Sequence, residues 1–111
     1  MTAEGPDVRS MADVDRLIHE PARLMILTIL YAAEKVDFLY MLRETELTKG
    51  NLSAHLAKLE QAGYIEIEKT YRGKIPQTLL CLTPTGRSAF EHYRQQLKKI
   101  VASLPEEPHE S

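Results

Sequence analysis

The stretch LTKGNLSAHLAKLEQAGYIEIEK, Leu47 to Lys69, constrains the fold most, because it holds a helix, its start, its stop and the strand that follows. Leu52, Leu56 and Leu59 recur at i, i+4 and i+7, the spacing of one helical face. Thr48 offers an N-cap hydroxyl and Gly63 a residue suited to C′, so a helix is expected over 48–62. Ile65 and Ile67 then alternate with Glu66 and Glu68, the period of a strand with one wet face. The outer face of the helix is unusual. Gly50, Asn51, Ala54, Ala57, Lys58 and Gln61 fall on or near the side opposite the leucines. Gly50 and Ala54, four apart, leave a smooth strip that another surface can approach closely. Gly50 in a first turn costs about 1 kcal/mol of helix propensity relative to Ala. Two uses compete for it: easing the chain into the helix, or clearing space for a ligand.

The remaining segments supply what packs around this unit. EPARLMILTILYAA opens with Pro21 at a first helical position and is apolar nearly all round, which marks a central buried helix. VDFLYMLRE has Asp37 as N-cap and Phe38, Leu39 and Leu42 at helical spacing, giving a second, shorter helix. YIEIEKTY, the turn RGKIP and QTLLCLT form a hairpin over 64–83 with Arg72 and Lys74 at its tip. Thr83 and Pro84 then start a last helix, TGRSAFEHYRQQLKKIVASL. The expected class is mainly α with a β-hairpin (α+β): a helix-turn-helix followed by a wing and a long C-terminal helix. The domain is expected over 13–104, between a flexible N-terminus, 1–12, and a flexible tail, 105–111, where Pro, Gly and charge show no periodicity.

A chain of 111 residues suits one domain. Its single cysteine, Cys81, leaves no disulfide framework and no Cys-rich metal site, and it fits a reducing cytosol. The longest apolar run, LMILTILYAA, is far short of the roughly 20 residues that span a bilayer, so a cytoplasmic location is expected. The net charge of -2 argues against a nucleic-acid partner until its distribution is considered. Lys49 to Lys74 holds five basic and three acidic residues, a net +2, against nine basic and thirteen acidic, a net -4, elsewhere.

No Gly-rich phosphate loop, nucleophile elbow or paired-carboxylate constellation is present, so no enzyme is expected. His19, His55, His92 and His109 are scattered with no i, i+4 pair, and neither a metal nor a cofactor is expected. Met25, Tyr31, Tyr40, Met41 and Tyr93 could build a small-molecule effector pocket between the helices and a dimer partner, although such residues more often fill a core.

The blocks HEPARLMILTIL, LTKGNLSAHLAKLEQAGYIEIEK and LTPTGRSAFEHY resemble those of small bacterial and archaeal winged-helix transcriptional regulators related to the ArsR and MarR families. The most specific part is the LS.HL..LE..GYI pattern, and the matching blocks cover about Ile18 to Leu104. The resemblance implies a dimeric regulator of double-stranded DNA. Carried onto this sequence, it places Lys49, Gly50, Asn51, Ser53, Ala54 and His55 on the recognition helix and Lys69, Arg72 and Lys74 on the wing; Thr48 and Lys58 complete the DNA-binding set. The chemistry agrees, since Asn can pair bidentately with adenine and Lys or Arg can neutralise phosphates. His55 also flanks the leucine seam, where a packed role competes. Two features depart from the pattern: the turn ETE lacks the glycine such turns often carry, and Ala54 stands where many relatives have Arg or Gln. Metal-sensing relatives place Cys or Cys/His ligands on a helix near the reading unit, and VDFLYMLRE has neither.

Phe90, Tyr93, Leu97, Ile100 and Leu104 step by three and four residues, the a/d seam of paired helices, which predicts a homodimer joined also by Val14, Leu17 and Ile18. The competing reading packs this stripe on the domain's own core. The alternative function is a winged-helix protein-interaction module in a transcription or replication assembly, which salt separates from a DNA binder.

Overall fold

The computed structural model describes Gly5 and residues 8–105. Residues 1–4, 6, 7 and 106–111, on which most of the two flexible-end expectations fall, lie outside the described residues. Among the described residues there are four α-helices: α1 (Pro21–Ala33), α2 (Phe38–Thr45), α3 (Lys49–Gln61) and α4 (Pro84–Ala102). Three strands, β1 (Lys35–Asp37), β2 (Ile65–Arg72) and β3 (Ile75–Leu82), make an antiparallel sheet in the order β1-β3-β2. The chain is a winged helix-turn-helix with a long C-terminal helix.

The helix starts follow from side-chain chemistry. Pro21 opens α1, and the Glu20 carboxylate accepts from the Arg23 N–H at 2.8 Å. Asp37, Thr48 and Thr83 accept from the N–H of Tyr40, Asn51 and Gly86 at 2.7, 3.1 and 2.9 Å. Each cap satisfies a donor that the helix itself cannot, worth about 1 kcal/mol. At the far end of α3, Gly63 takes φ +79°, the left-handed turn that ends the helix. The ETE turn is also left-handed, at Glu46 (φ 56°), whose N–H donates to the Leu42 carbonyl at 3.1 Å. An ordinary residue therefore does the work of the missing glycine.

Three regions differ from expectation. Lys35–Asp37 is a strand, because Asp37 as N-cap must be extended (ψ 162°) and three residues are too few to display alternation. The hairpin turn is only Gly73–Lys74, with Arg72 opposite Ile75, so Arg72, Ile75 and Pro76 belong to the strands. Gly73 has φ +66° and Lys74 does not share it, the pattern of a type II′ turn with glycine first. Pro76 is tolerated because β1 pairs β3 only at Leu79–Cys81, which leaves the Pro76 end of β3 with one open edge. Third, Arg9–Asp13 forms a 3-10 turn against α4, where Gln96 Nε2 donates to the Asp13 carbonyl at 3.2 Å. Residues 9–12 of the segment expected to be flexible lie in this turn.

Ile18, Ile26, Leu27, Leu30, Met41, Leu52, Leu59 and Leu80 form the fully buried centre of one apolar cluster. Phe90, Tyr93 and Ile100 belong to the same cluster, with Ile100 only 8% exposed. These three therefore pack on the chain's own core, as the competing reading of the stripe has it, with the N-terminal turn lying against α4. Leu17 and Leu97 are half-buried on the same core, whereas Leu104 is 49% exposed.

The joint between α4 and the reading unit is tight. A Cβ at Gly86 would lie 2.1 Å from the Tyr64 carbonyl oxygen, to which Thr83 N–H donates at 3.1 Å. The Tyr64 hydroxyl donates to Asp15 Oδ2 at 2.5 Å, and Asp15 Oδ1 accepts from the N–H of Leu17 at 2.9 Å. Burial, then the bond to Asp15 and its charge, push the Tyr64 hydroxyl up to about 12. Tyr93, 2.8 Å from His19 Nδ1, is also raised, by burial and then by the Asp15 charge.

Candidate nucleic-acid interface

Three leucines hold α3 by one face, so the opposite face is free. Leu52, Leu56 and Leu59 are buried, while Lys49, Gly50, Asn51, Ser53, Ala54, Ala57 and Lys58 are exposed. A Cβ at Gly50 would meet nothing within 4 Å, and its φ is not left-handed. Nothing inside the chain requires glycine there. Thr48 spends its hydroxyl oxygen on the Asn51 N–H and stands at the head of the helix.

A cleft of about 590 Å³ separates α3 from the wing. Lys49, Ser53 and Ala57 line its helical wall, and Lys69, Pro76 and Thr78 its strand wall. Arg72 and Lys74 stand exposed at the wing tip. Of the expected residues, the structure thus brings Lys49 and Ser53 of the helix and Lys69 of the wing to the two sides of one concave surface, with Asp37 and Glu60 as acidic groups in the same cleft; Thr48, Gly50, Asn51, Ala54, His55, Lys58, Arg72 and Lys74 lie outside its lining. Asp37 is occupied as the cap of α2 and accepts from Gln77 Nε2 at 3.4 Å.

His55 stands apart from the outer strip. Its Nδ1 lies 3.0 Å from Arg23 Nη1 and 4.0 Å from Glu20 Oε1, so one edge of the ring faces α1. Arg23, only 9% exposed, also donates through Nε to the Leu17 carbonyl at 2.5 Å. Burial pushes the Glu20 carboxyl up, but N–H bonds from Arg23 and Ala22 and the Arg23 charge, joined by that of His55 when its ring is protonated, outweigh it and leave Glu20 below its ordinary value.

Tyr71 and Ile75 were not singled out in the sequence, yet they are 70% and 69% exposed beside the wing tip. Alternation places Tyr71 on the face of Lys69 and Ile67, which is the cleft side. The period-two pattern starting at Ile65 carries that signal if extended past Lys69.

Within the single chain, neither the α3–wing cleft nor the small pocket on α4 gathers the five residues considered for an effector site between the helices and a dimer partner. Met41 and Tyr93 are core, while Met25 and Tyr40 are 39% and 40% exposed. Tyr31 lies near the Arg87 and Arg94 guanidiniums, at 4.6 and 5.5 Å, and donates to Glu91 Oε2 at 2.8 Å. The α3–wing cleft contains none of the five, and a smaller pocket near Gln95 and Lys98 includes Tyr31 alone. No cluster of three or more His, Cys, Asp or Glu able to hold a metal occurs among the described residues. None of the described helices is long and apolar enough to cross a membrane.

The helix-turn-helix, the wing and the cleft between them define a winged-helix DNA-binding unit of the kind found in transcriptional regulators. Residues 22–101 match the winged helix DNA-binding domain family, and the chain belongs to it. An uncharacterized protein of Methanocaldococcus jannaschii is 34% identical over 90 residues, covering 80% of this chain and 97% of that protein. A transcriptional regulator homologue from Pyrococcus horikoshii OT3 superposes with a TM-score of 0.80 at 24% identity, over 85% of this chain and 95% of that one. Overoxidized AbfR bound to DNA superposes with a TM-score of 0.65 at 18% identity, over 75% of this chain and 63% of AbfR.

Proposed function

We propose that the chain is a sequence-specific transcriptional regulator that acts as a homodimer and represses by occupying its operator. In this reading α3 enters the major groove, while Arg72 and Lys74 on the wing meet phosphates or the minor groove. The observation that carries it is the bare strip at Gly50 and Ala54. Gly50 costs helix stability and has no internal contact or backbone angle to justify it, so its use lies outside the chain. Asn51 on that surface is suited to adenine.

A second copy would take up the apolar surface left at the end of α4 and the N-terminal turn. Val101 and Leu104 are 65% and 49% exposed there, and Met11 is 48% exposed. Two-fold pairing would set two α3 helices into successive major grooves, with half-sites about 10 bp apart or a multiple of that. Val101→Glu with Leu104→Arg is the variant that attacks this contact without touching the buried stripe, and sedimentation of wild type and variant reads the result.

The decisive experiment selects bound fragments from random DNA and sequences them, with Gly50→Glu as control. A symmetric enriched motif, lost in Gly50→Glu while the melting temperature holds, is the expected outcome. Affinity that is insensitive to salt and to Gly50→Glu would instead favour a protein partner.

A further inference from the structure

His55 has two ring nitrogens, and the structure assigns them different jobs. We propose that Arg23 locks His55 in the tautomer that carries its proton on Nε2, and that this N–H donates to a DNA backbone phosphate beside α3. The inference rests on the DNA-binding reading and adds to it the role of a residue whose inner contacts alone would make it structural.

The first step is a matter of donors. A guanidinium has five N–H groups and no acceptor, so a 3.0 Å contact from Arg23 Nη1 requires a lone pair on His55 Nδ1. An imidazolium would have to turn its Nδ1–H toward Glu20, but Oε1 is 4.0 Å away, too far for a hydrogen bond. Distance therefore favours the neutral ring, and with Nδ1 accepting, the proton sits on Nε2. Arg23 is itself fixed, being buried and anchored to the Leu17 carbonyl, so the lock does not depend on a mobile side chain.

The second step concerns where Nε2 lies. It has no hydrogen-bond partner among the described residues. It is not sealed off, because Gln96 Oε1 is the one buried side-chain polar atom left unpaired there. The His55 side chain retains 22% exposure, and Nε2–H is the polar group with which it can meet a ligand. Along α3 each residue turns by 100°, so His55 stands about one such step round from the bare strip at Ala54. Asn51, one turn earlier, and Lys58, three residues later, border the same flank and are exposed. A strip seated on the groove floor puts that flank against the wall of the groove, where the acceptors are phosphate oxygens.

Two measurements on the full chain test this. Nitrogen NMR of the DNA-free protein near neutral pH should show Nδ1 unprotonated and Nε2 protonated, with the preference lost in Arg23→Met. The opposite tautomer, or an imidazolium, overturns the lock. With the enriched fragment, His55→Ala should weaken binding roughly tenfold, as expected for one hydrogen bond to a charged group. Random DNA should lose as much, and the salt slope should stay as in wild type, since a neutral donor releases no counterion. His55→Gln should stay within roughly threefold, because its amide can accept from Arg23 and donate outward. Wild-type affinity in His55→Ala, or a slope reduced by about 1, overturns the phosphate contact. Failure of the DNA reading is distinguishable, because it shows as no wild-type affinity or no effect of Gly50→Glu, whereas the tautomer is read without DNA.

Discussion

Helices α3 and α4 stand on the same core and use their free surfaces differently. α3 is pinned by Leu52, Leu56 and Leu59 and turns a face of glycine and alanine outward. α4 buries Phe90, Tyr93 and Ile100, keeps Leu97 half-buried, and leaves apolar Val101 and Leu104 uncovered. A bare small-residue face lets a rigid body approach closely, while an exposed apolar end favours being covered. An apolar stripe alone states that something covers it; it does not state which segment does. The comparison can be sharpened by substitutions that separate surfaces used inside the chain from those left for a partner.

The largest effect is expected at the joint between the two helices. Gly86→Ala pushes a Cβ against the backbone of Tyr64, which no side-chain rotation can relieve, and should cost about 3 kcal/mol or more in urea unfolding. Gly50→Ala is its opposite, because the added methyl meets nothing, and should gain up to about 1 kcal/mol. Equal effects at the two glycines would break the distinction drawn between them.

Next in size is the contrast along α4. Ile100→Ala removes a side chain from the single-chain core and should cost about 2 kcal/mol at any protein concentration. Leu104→Ala should change the stability of a dilute sample by no more than about 0.5 kcal/mol, since the residue is half exposed. If Leu104 meets a second copy, its variant should instead shift the concentration dependence of melting.

How much of this was legible depends on whether a feature is local. The caps at Asp37, Thr48 and Thr83 could be read because a capping side chain acts within three residues. The face of α3 followed from spacing in the same way, whereas α2 buries Met41 and leaves Leu39, which spacing put on its apolar face, 64% exposed. The shorter turn at Gly73–Lys74 was hidden because RGKIP contains several turn-forming residues, and only pairing across the strands decides among them. Gly86 against Tyr64, and Arg23 against His55 32 positions away, leave no periodic trace. The α4 stripe was read as a covered face, and at Phe90, Tyr93 and Ile100 the chain's own core supplies cover that periodicity alone does not distinguish from a second copy.

A smaller effect, about 1 kcal/mol, is expected for Tyr64→Phe, which removes the bond to Asp15 and leaves its carboxylate a partner short. The folded protein holds the Tyr64 proton up to about 12, above the ordinary 10.0. Stability from that shift is therefore fully present below the ordinary value and is lost as pH rises through about 12. The wild-type advantage over Tyr64→Phe should shrink across that window in denaturant titrations, and a pH-independent difference would count against the Asp15 contact.

A comparably small effect, of opposite sign, tests the turn between α2 and α3, which sets the angle at which α3 is presented. Glu46 holds φ 56° although it has a Cβ, and an L-residue in that region costs roughly 1–2 kcal/mol. Glycine would remove the strain but loses more backbone entropy on folding, about 0.5–1 kcal/mol. The net expectation for Glu46→Gly is a gain of about 0.5–1 kcal/mol, with the Leu42 carbonyl still accepting from the backbone N–H of residue 46. Glu46 is exposed, so few contacts are lost with its side chain. Melting curves of the two proteins decide it. A destabilised Glu46→Gly would mean that the carboxylate contributes more at this turn than its exposed position indicates, and that the turn is not simply a glycine site filled by another residue.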